Sequence, residues 1–248
     1  MSKRPNRFRS LLTALMLTVA LLVTACGNSN SSNQATNDPS ESSTTDTLAA
    51  TPDEPKEFAG YVRNPPLDVS EVTLPAADGT EITMVAQPGG IRLVYFGYTT
   101  CPDICPATLA YVEKALNGQS ETDRAKVDVD MITIDPSVDS PEILSAYIQQ
   151  FVPNGHAIHT MDPVLLRAAA NTFGASYRIQ YQDGKRVVAH TDDLYAVDDT
   201  GTVVLAWPFG HALAEVEQDL TRLLKGERPG DEIPEAVGAS DNSTESAS

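Results

Sequence analysis

The stretch Ile91-Arg-Leu-Val-Tyr95-Phe-Gly97-Tyr-Thr-Thr-Cys101-Pro-Asp-Ile-Cys105-Pro106-Ala-Thr-Leu109 decides the fold. Its first seven residues are a nearly continuous apolar run, the pattern of a strand buried on both faces. Pro106 suits the first turn of a helix, where its missing N–H is not needed. That helix is predicted to run to about Asn117, with Gly118 as terminator. Two cysteines with three residues between them therefore lie between a buried strand and a helix start. Unpaired helical N–H groups at such a position lower a thiol pKa and favour thiolate. The gap around Pro102 can bring the two Cβ atoms within disulfide range, about 4 Å. It can equally point both sulfurs at one small ion.

Upstream, Val69–Pro75 and Thr80–Val85 flank Asp78-Gly79, a hairpin signal. Downstream, Val127–Ile134 (VDVDMITI) alternates and then turns apolar, which predicts a second strand. Ser140-Pro141-Glu142 opens a helix through Phe151, Ala157–Met161 reads as a brief strand, and Asp162-Pro163 opens a helix ending near Gly174. Tyr177–Tyr181 and Arg186–His190 form a hairpin around Asp183-Gly184. Leu194–Val197 and Val203–Trp207 flank a turn at Asp198–Gly201. The last helix, about Ala212–Leu224, carries Leu213, Val216, Leu220 and Leu223/Leu224 on one stripe. Early helical crossovers imply parallel strands and late hairpins imply antiparallel ones. The expected fold is α/β, a thioredoxin-like mixed sheet with helices on both faces.

The two ends of the chain read differently. Residues 1–25 combine a basic start with an apolar run, Leu11–Val23, too short and too early for a comfortable span. They read as a cleaved signal. The sequence Val23-Thr24-Ala25-Cys26 resembles a bacterial lipobox, which implies lipid on Cys26. Residues 26–57 are rich in Ser, Thr and Asn, too poor in large apolar groups to offset ordering entropy, and read as a flexible tether. Residues 227–248 have the same character, an acidic disordered tail, so the expected domain is 58–226. This organisation places the protein outside the cytoplasm, anchored to a bacterial membrane by lipid.

Net charge is −17, and the first 25 residues contribute four bases and no acid. The remainder thus holds 13 basic side chains against 34 acidic, or −21. Such a surface repels phosphate backbones, which argues against nucleic-acid binding. Hydrophobic content is 41%, ordinary for a chain with a globular core.

With Cys26 set aside, Cys101 and Cys105 are the remaining cysteines. In an exported protein such a pair is a disulfide, a redox couple or a metal site. Two thiolates are soft ligands that suit copper(I), or zinc with further ligands. A third ligand has four candidates, His156, His159, His190 and His211. His190 stands at a turn between strands, a position that can meet the cysteine loop across the sheet end. A peroxidase of the peroxiredoxin kind needs Thr three residues before its cysteine and Pro seven before. Those positions hold Tyr98 and Val94 for Cys101, and Pro102 and Tyr98 for Cys105.

The segment YFGYTTCPDICPATL closely resembles the Sco/SenC signature, in which a C-P-x-x-C-P loop follows an aromatic-Gly strand. MITIDPSVDSPEILSAYIQQF is similar to that family's strand, Asp-Pro turn and helix, and HTDDLYAVDDTG to its metal-binding histidine and following strand. The resemblance spans roughly 60–225. It implies that Cys101, Cys105 and His190 hold one copper ion, as Cu(I) or Cu(II), and that the cysteines also cycle between dithiol and disulfide. It implies a partner, the copper-bearing subunit of cytochrome c oxidase or another copper chaperone. The role would be copper delivery to the dinuclear copper centre, or reduction of its cysteines. Asp135 and Asp139 match the family's Asp-Pro-x-x-Asp turn as outer groups or as capping residues. Asp192 and Asp193 depart from the family, whose residues there are uncharged. On a strand one of the two faces inward, unless the strand starts later. The competing reading is an extracytoplasmic thiol–disulfide oxidoreductase without a metal role.

Overall fold

The computed structural model describes residues 57–231. These all belong to one unit, Ala50–Ser248; a first unit, Met1–Ala49, lies outside the described residues. The predicted signal, Cys26, nearly all of the tether and most of the acidic tail also lie outside them.

The chain order is β1 (Leu67–Asp68), β2 (Thr73–Pro75), β3 (Glu81–Thr83), β4 (Ile91–Gly97), α1 (Ile104–Asn117), α2 (Glu121–Arg124) and β5 (Val127–Thr133). There follow α3 (Pro141–Gln149), β6 (His156–Ile158), α4 (Pro163–Thr172), β7 (Tyr177–Gln182) and β8 (Lys185–His190). The domain closes with β9 (Leu194–Val197), β10 (Thr202–Trp207) and α5 (Leu213–Leu224). Two short elements, β1 and α2, were not expected. Neither carries an apolar period long enough to read.

A six-stranded sheet runs β1-β10-β9-β4-β5-β6. Strands β4, β5 and β6 are parallel, while β9 is antiparallel to both β4 and β10. All seven residues of β4 are buried because it has a strand on each side and helices above and below. Alternate side chains go to opposite faces. Ile91, Leu93 and Tyr95 pack with α1, α3 and α5, whereas Val94 and Phe96 pack with α4 and the β2–β3 hairpin. Helices therefore cover both faces, as the sequence predicts.

Local chemistry sets the helix starts. Ser140 Oγ accepts the Ile143 N–H at 3.3 Å, and Asp162 Oδ1 accepts the Val164 N–H at 2.8 Å, each with proline at the first helical position. α5 buries Val216, Leu220, Leu223 and Leu224 of its predicted stripe, leaves Leu213 half-buried, and also buries Asp219. That carboxylate accepts the N–H groups of Ala59 and Gly60 and Trp207 Nε1–H, clipping the start of the domain to its last helix. Strands β7 and β8 form a separate ribbon. It is tied back by an ion pair between Arg186 and Asp135 and by the Arg167 guanidinium, 3.6 Å over the Tyr177 ring.

Candidate metal centre

The loop after β4 leaves the sheet at the carboxyl end of the parallel strands, and α1 begins there. Gly97 has no side chain because a Cβ would lie 2.7 Å from the Tyr95 ring. Asp139, fully buried, holds the loop. It accepts the Thr99 N–H at 3.1 Å, the Thr99 hydroxyl at 2.5 Å and the Thr133 hydroxyl at 2.6 Å. Through Asp139 the Asp-Pro turn thus braces the cysteine loop. Asp135 ties the same turn to β8 through Arg186.

Asp103 is the N-cap of α1, so Cys105 lies in the first helical turn and Cys101 before it. The Cys105 backbone N–H points at Cys101 Sγ, 3.3 Å away. Burial opposes ionisation of Cys101, but that N–H and neighbouring donors outweigh it, and the thiol sits below its ordinary value. The expectation that both thiols are acidified needs correction. Cys105 is completely buried, and burial pushes its thiol up to about 12. The pair is therefore asymmetric, with one half-exposed acidic thiol and one buried, protonated one.

His190 ends β8 and reaches the pair. Its Nδ1 lies 2.7 Å from the Thr191 carbonyl oxygen, which can only accept, so Nδ1 carries the proton. The lone pair is then on Nε2, 4.0 Å from Cys105 Sγ. Tyr95 and Tyr98 meet the imidazole edge-on, with ring centroids 6.4 and 5.7 Å away. The ligating atoms of Cys101, Cys105 and His190 all lie within 4.8 Å of one another. Two soft sulfurs and one imidazole nitrogen converging this closely fit a single soft or borderline cation.

The other histidines are engaged elsewhere. His156 Nδ1 is 2.8 Å from Asp130, His159 Nε2 is 3.2 Å from the Pro136 carbonyl, and His211 is 3.5 Å from Glu215. Both readings of Asp192 and Asp193 hold at once. β9 starts after them, at Leu194, and Asp193 is buried. The Tyr61 hydroxyl donates to Asp193 at 2.6 Å, and Arg63 lies 4.0 Å from it. This anchors the segment just after His190. Sequence reasoning did not find the aromatic wall that Tyr95 and Tyr98 build around Cys105 and His190. Tyr95 lies in the strand read only for its apolar content.

Fold and site together define a thioredoxin-like domain whose Cys-x-x-x-Cys loop is faced by an imidazole. The SCO1/SenC family model matches residues 64–225, and the chain belongs to that family. It is 32% identical over 122 residues to a SCO2-like protein of Rickettsia prowazekii, covering 46% of this chain and 56% of that one. The chain spans a little over half the length of such relatives. The solution structure of apo Sco1 from Thermus thermophilus superposes with a TM-score of 0.58 at 28% identity, over 68% of this chain and 96% of that one. Bradyrhizobium japonicum ScoI, solved with copper bound, gives 0.53 at 26% identity, over 64% and 97%. Among the described residues no helix is long and apolar enough to cross a membrane.

Proposed function

We propose that the chain binds one copper ion between Cys101 Sγ, Cys105 Sγ and His190 Nε2. We infer that it delivers that copper to the dinuclear centre of cytochrome c oxidase, or keeps the thiols of that centre reduced. The convergence of the three donor atoms within 4.8 Å carries this reading. The copper-bound bradyrhizobial relative and the family membership support it. Copper(I) is satisfied by two thiolates, and copper(II) gains from the harder nitrogen. Binding requires both thiols to lose their protons, and the ion supplies the electrostatic drive for the buried Cys105 to do so.

The thiol asymmetry favours a redox role alongside this. Cys101, half-exposed and acidified, is suited to attack a partner disulfide. Cys105 then attacks the mixed disulfide, leaving Cys101–Cys105 oxidised. Two electrons and two protons pass to the partner's two sulfurs. The protein acts outside the cytoplasm in this reading. Residues 1–25 direct export, lipid on Cys26 anchors the chain, 26–57 tether the domain 58–226, and 227–248 are a tail.

Copper titration of the reduced chain, followed by thiolate-to-metal absorption, tests the proposal. One equivalent with sulfur-to-copper(II) bands is expected. No such bands, with intact thiols, leaves the metal-free oxidoreductase.

A further inference from the structure

His190 is carried by a two-stranded ribbon, and two strands alone are marginally stable unless something holds them. Alternate side chains of β8 face the same way. Arg186, Val188 and His190 are its partly buried set, while Lys185, Val187 and Ala189 are exposed. The base of the ribbon is pinned to α4, where Arg167 Nη1 donates to the Tyr177 carbonyl at 3.1 Å. Tyr177 is the residue opposite His190 across the ribbon. Farther out, Val188 packs on the core and Arg186 is ion-paired and hydrogen-bonded to Asp135. Asp135 is 1% exposed and opens the Asp-Pro turn, its carbonyl accepting the Val138 and Asp139 N–H groups, each at 3.0 Å. Asp139 in turn bonds Thr99, two residues before Cys101. One tight turn thus joins the strand that carries the imidazole to the loop that carries the sulfurs. The ion pair is also half made: Arg186 Nε and Asp135 Oδ2 are both buried without a partner among the described residues. A buried ion pair is a weak source of stability, and an incomplete one weaker still, so fixing the position of β8 is the better account of it.

We propose that Arg186 is a positioning residue: through Asp135 it holds β8 so that His190 Nε2 meets the two cysteine sulfurs as the third ligand of copper(II). The inference rests on the copper reading above. Arg186 and His190 are four residues apart on one strand, a lever of about 13 Å. Ligand atoms work only within about 0.5 Å of their productive geometry, so a small rotation of the ribbon about its base takes the nitrogen out of reach. Copper(II) loses by this, because it gains from the nitrogen. Copper(I) keeps its two thiolates, which the ribbon does not carry.

The test uses three variants of the full chain. Arg186→Met removes the charge but leaves a buried carboxylate unpaired, which costs stability. The double variant Asp135→Asn/Arg186→Met removes both charges, and Arg186→Lys restores a single bond. In the metal-free protein the His190 ring protons are followed by NMR, since the edge contacts to Tyr95 and Tyr98 displace their signals. Copper(II) and copper(I) affinities are measured by competition with chelators, the bound nitrogen by electron paramagnetic resonance of copper(II), and stability by thermal unfolding. Both methionine variants are expected to move the His190 signals towards those of free histidine. They should also weaken copper(II) about tenfold, the low end for groups that orient a ligand, lose the nitrogen coupling and leave copper(I) unchanged. Arg186→Lys should stay near the parent. A merely structural role lowers the melting temperature and both copper affinities together, and that result overturns the proposal. So does failure of the double variant to fold, or parent-like His190 signals and copper(II) affinity in the folded variants; the copper reading then stands. If the parent binds no copper, both fall.

Discussion

Replacing His190 by alanine removes the nitrogen donor and little else. The imidazole bonds the Thr191 carbonyl through Nδ1, faces Cys105 Sγ through Nε2 at 4.0 Å, and makes edge contacts to Tyr95 and Tyr98. Losing one hydrogen bond at a half-buried site costs about 1 kcal/mol, against a typical domain stability of roughly 5–15 kcal/mol. The variant therefore folds, and Cys101 and Cys105 still form their disulfide. Copper(I) keeps two thiolates, whereas copper(II) loses its only nitrogen. Removing an outer group that merely orients a ligand already costs about 10–100-fold in metal affinity. Losing the ligand itself is expected to weaken copper(II) by at least about 100-fold, near 3 kcal/mol, and copper(I) by much less. The assay is competition titration of the reduced chain in both oxidation states. Alanine at His156, His159 or His211 should do little, since each is bonded to Asp130, Pro136 or Glu215 respectively. Parent-like copper(II) binding by His190→Ala, with loss in another histidine variant, refutes the ligand assignment.

Cys26→Ser should leave the domain folded but unanchored; a variant that still pellets with membranes as fully as the parent would show that lipid on Cys26 is not the anchor. Oxidation should join Cys101 to Cys105, lower the mass by two hydrogen atoms and abolish copper(I) binding, because no thiolate remains. Mass spectrometry with a copper assay checks this, and unchanged affinity in the oxidised form defeats it. The bond to Asp130 raises the His156 imidazole above its ordinary value even though burial works against it. Its stabilisation is therefore full below the unfolded pKa, about 6.5, and fades as pH rises through the higher folded value. The melting-temperature gap between parent and His156→Gln should be widest near pH ~5.5 and narrow towards pH ~9; a gap that widens with pH contradicts it.

The strands, helices and turns were legible because their signals are local. An apolar run gives β4, a Ser or Asp before Pro opens α3 and α4, and Asp-Gly pairs close the hairpins at Asp78 and Asp183. The cysteine loop, too, could be placed between β4 and α1 from its neighbours in sequence. The sequence alone also made the pair Cys101/Cys105 a candidate for soft-metal or redox chemistry, by residue type and spacing.

What joins these to His190 is not local. The imidazole lies 85 residues from Cys105 along the chain, on a ribbon outside the main sheet. A lone histidine carries no periodicity that marks it as a ligand. Only packing shows that Thr191 sets its tautomer and that Arg186 and Asp135 tie its strand to the Asp-Pro turn that braces the cysteine loop. The same holds for the split between the thiols. Both sit at one helix start, so spacing treats them alike. The tertiary structure buries Cys105 completely, because the first turn of α1 faces the core, and leaves Cys101, which precedes the helix, half-buried under the Cys105 N–H. Burial is a property of everything packed around an atom, and no window of sequence contains it.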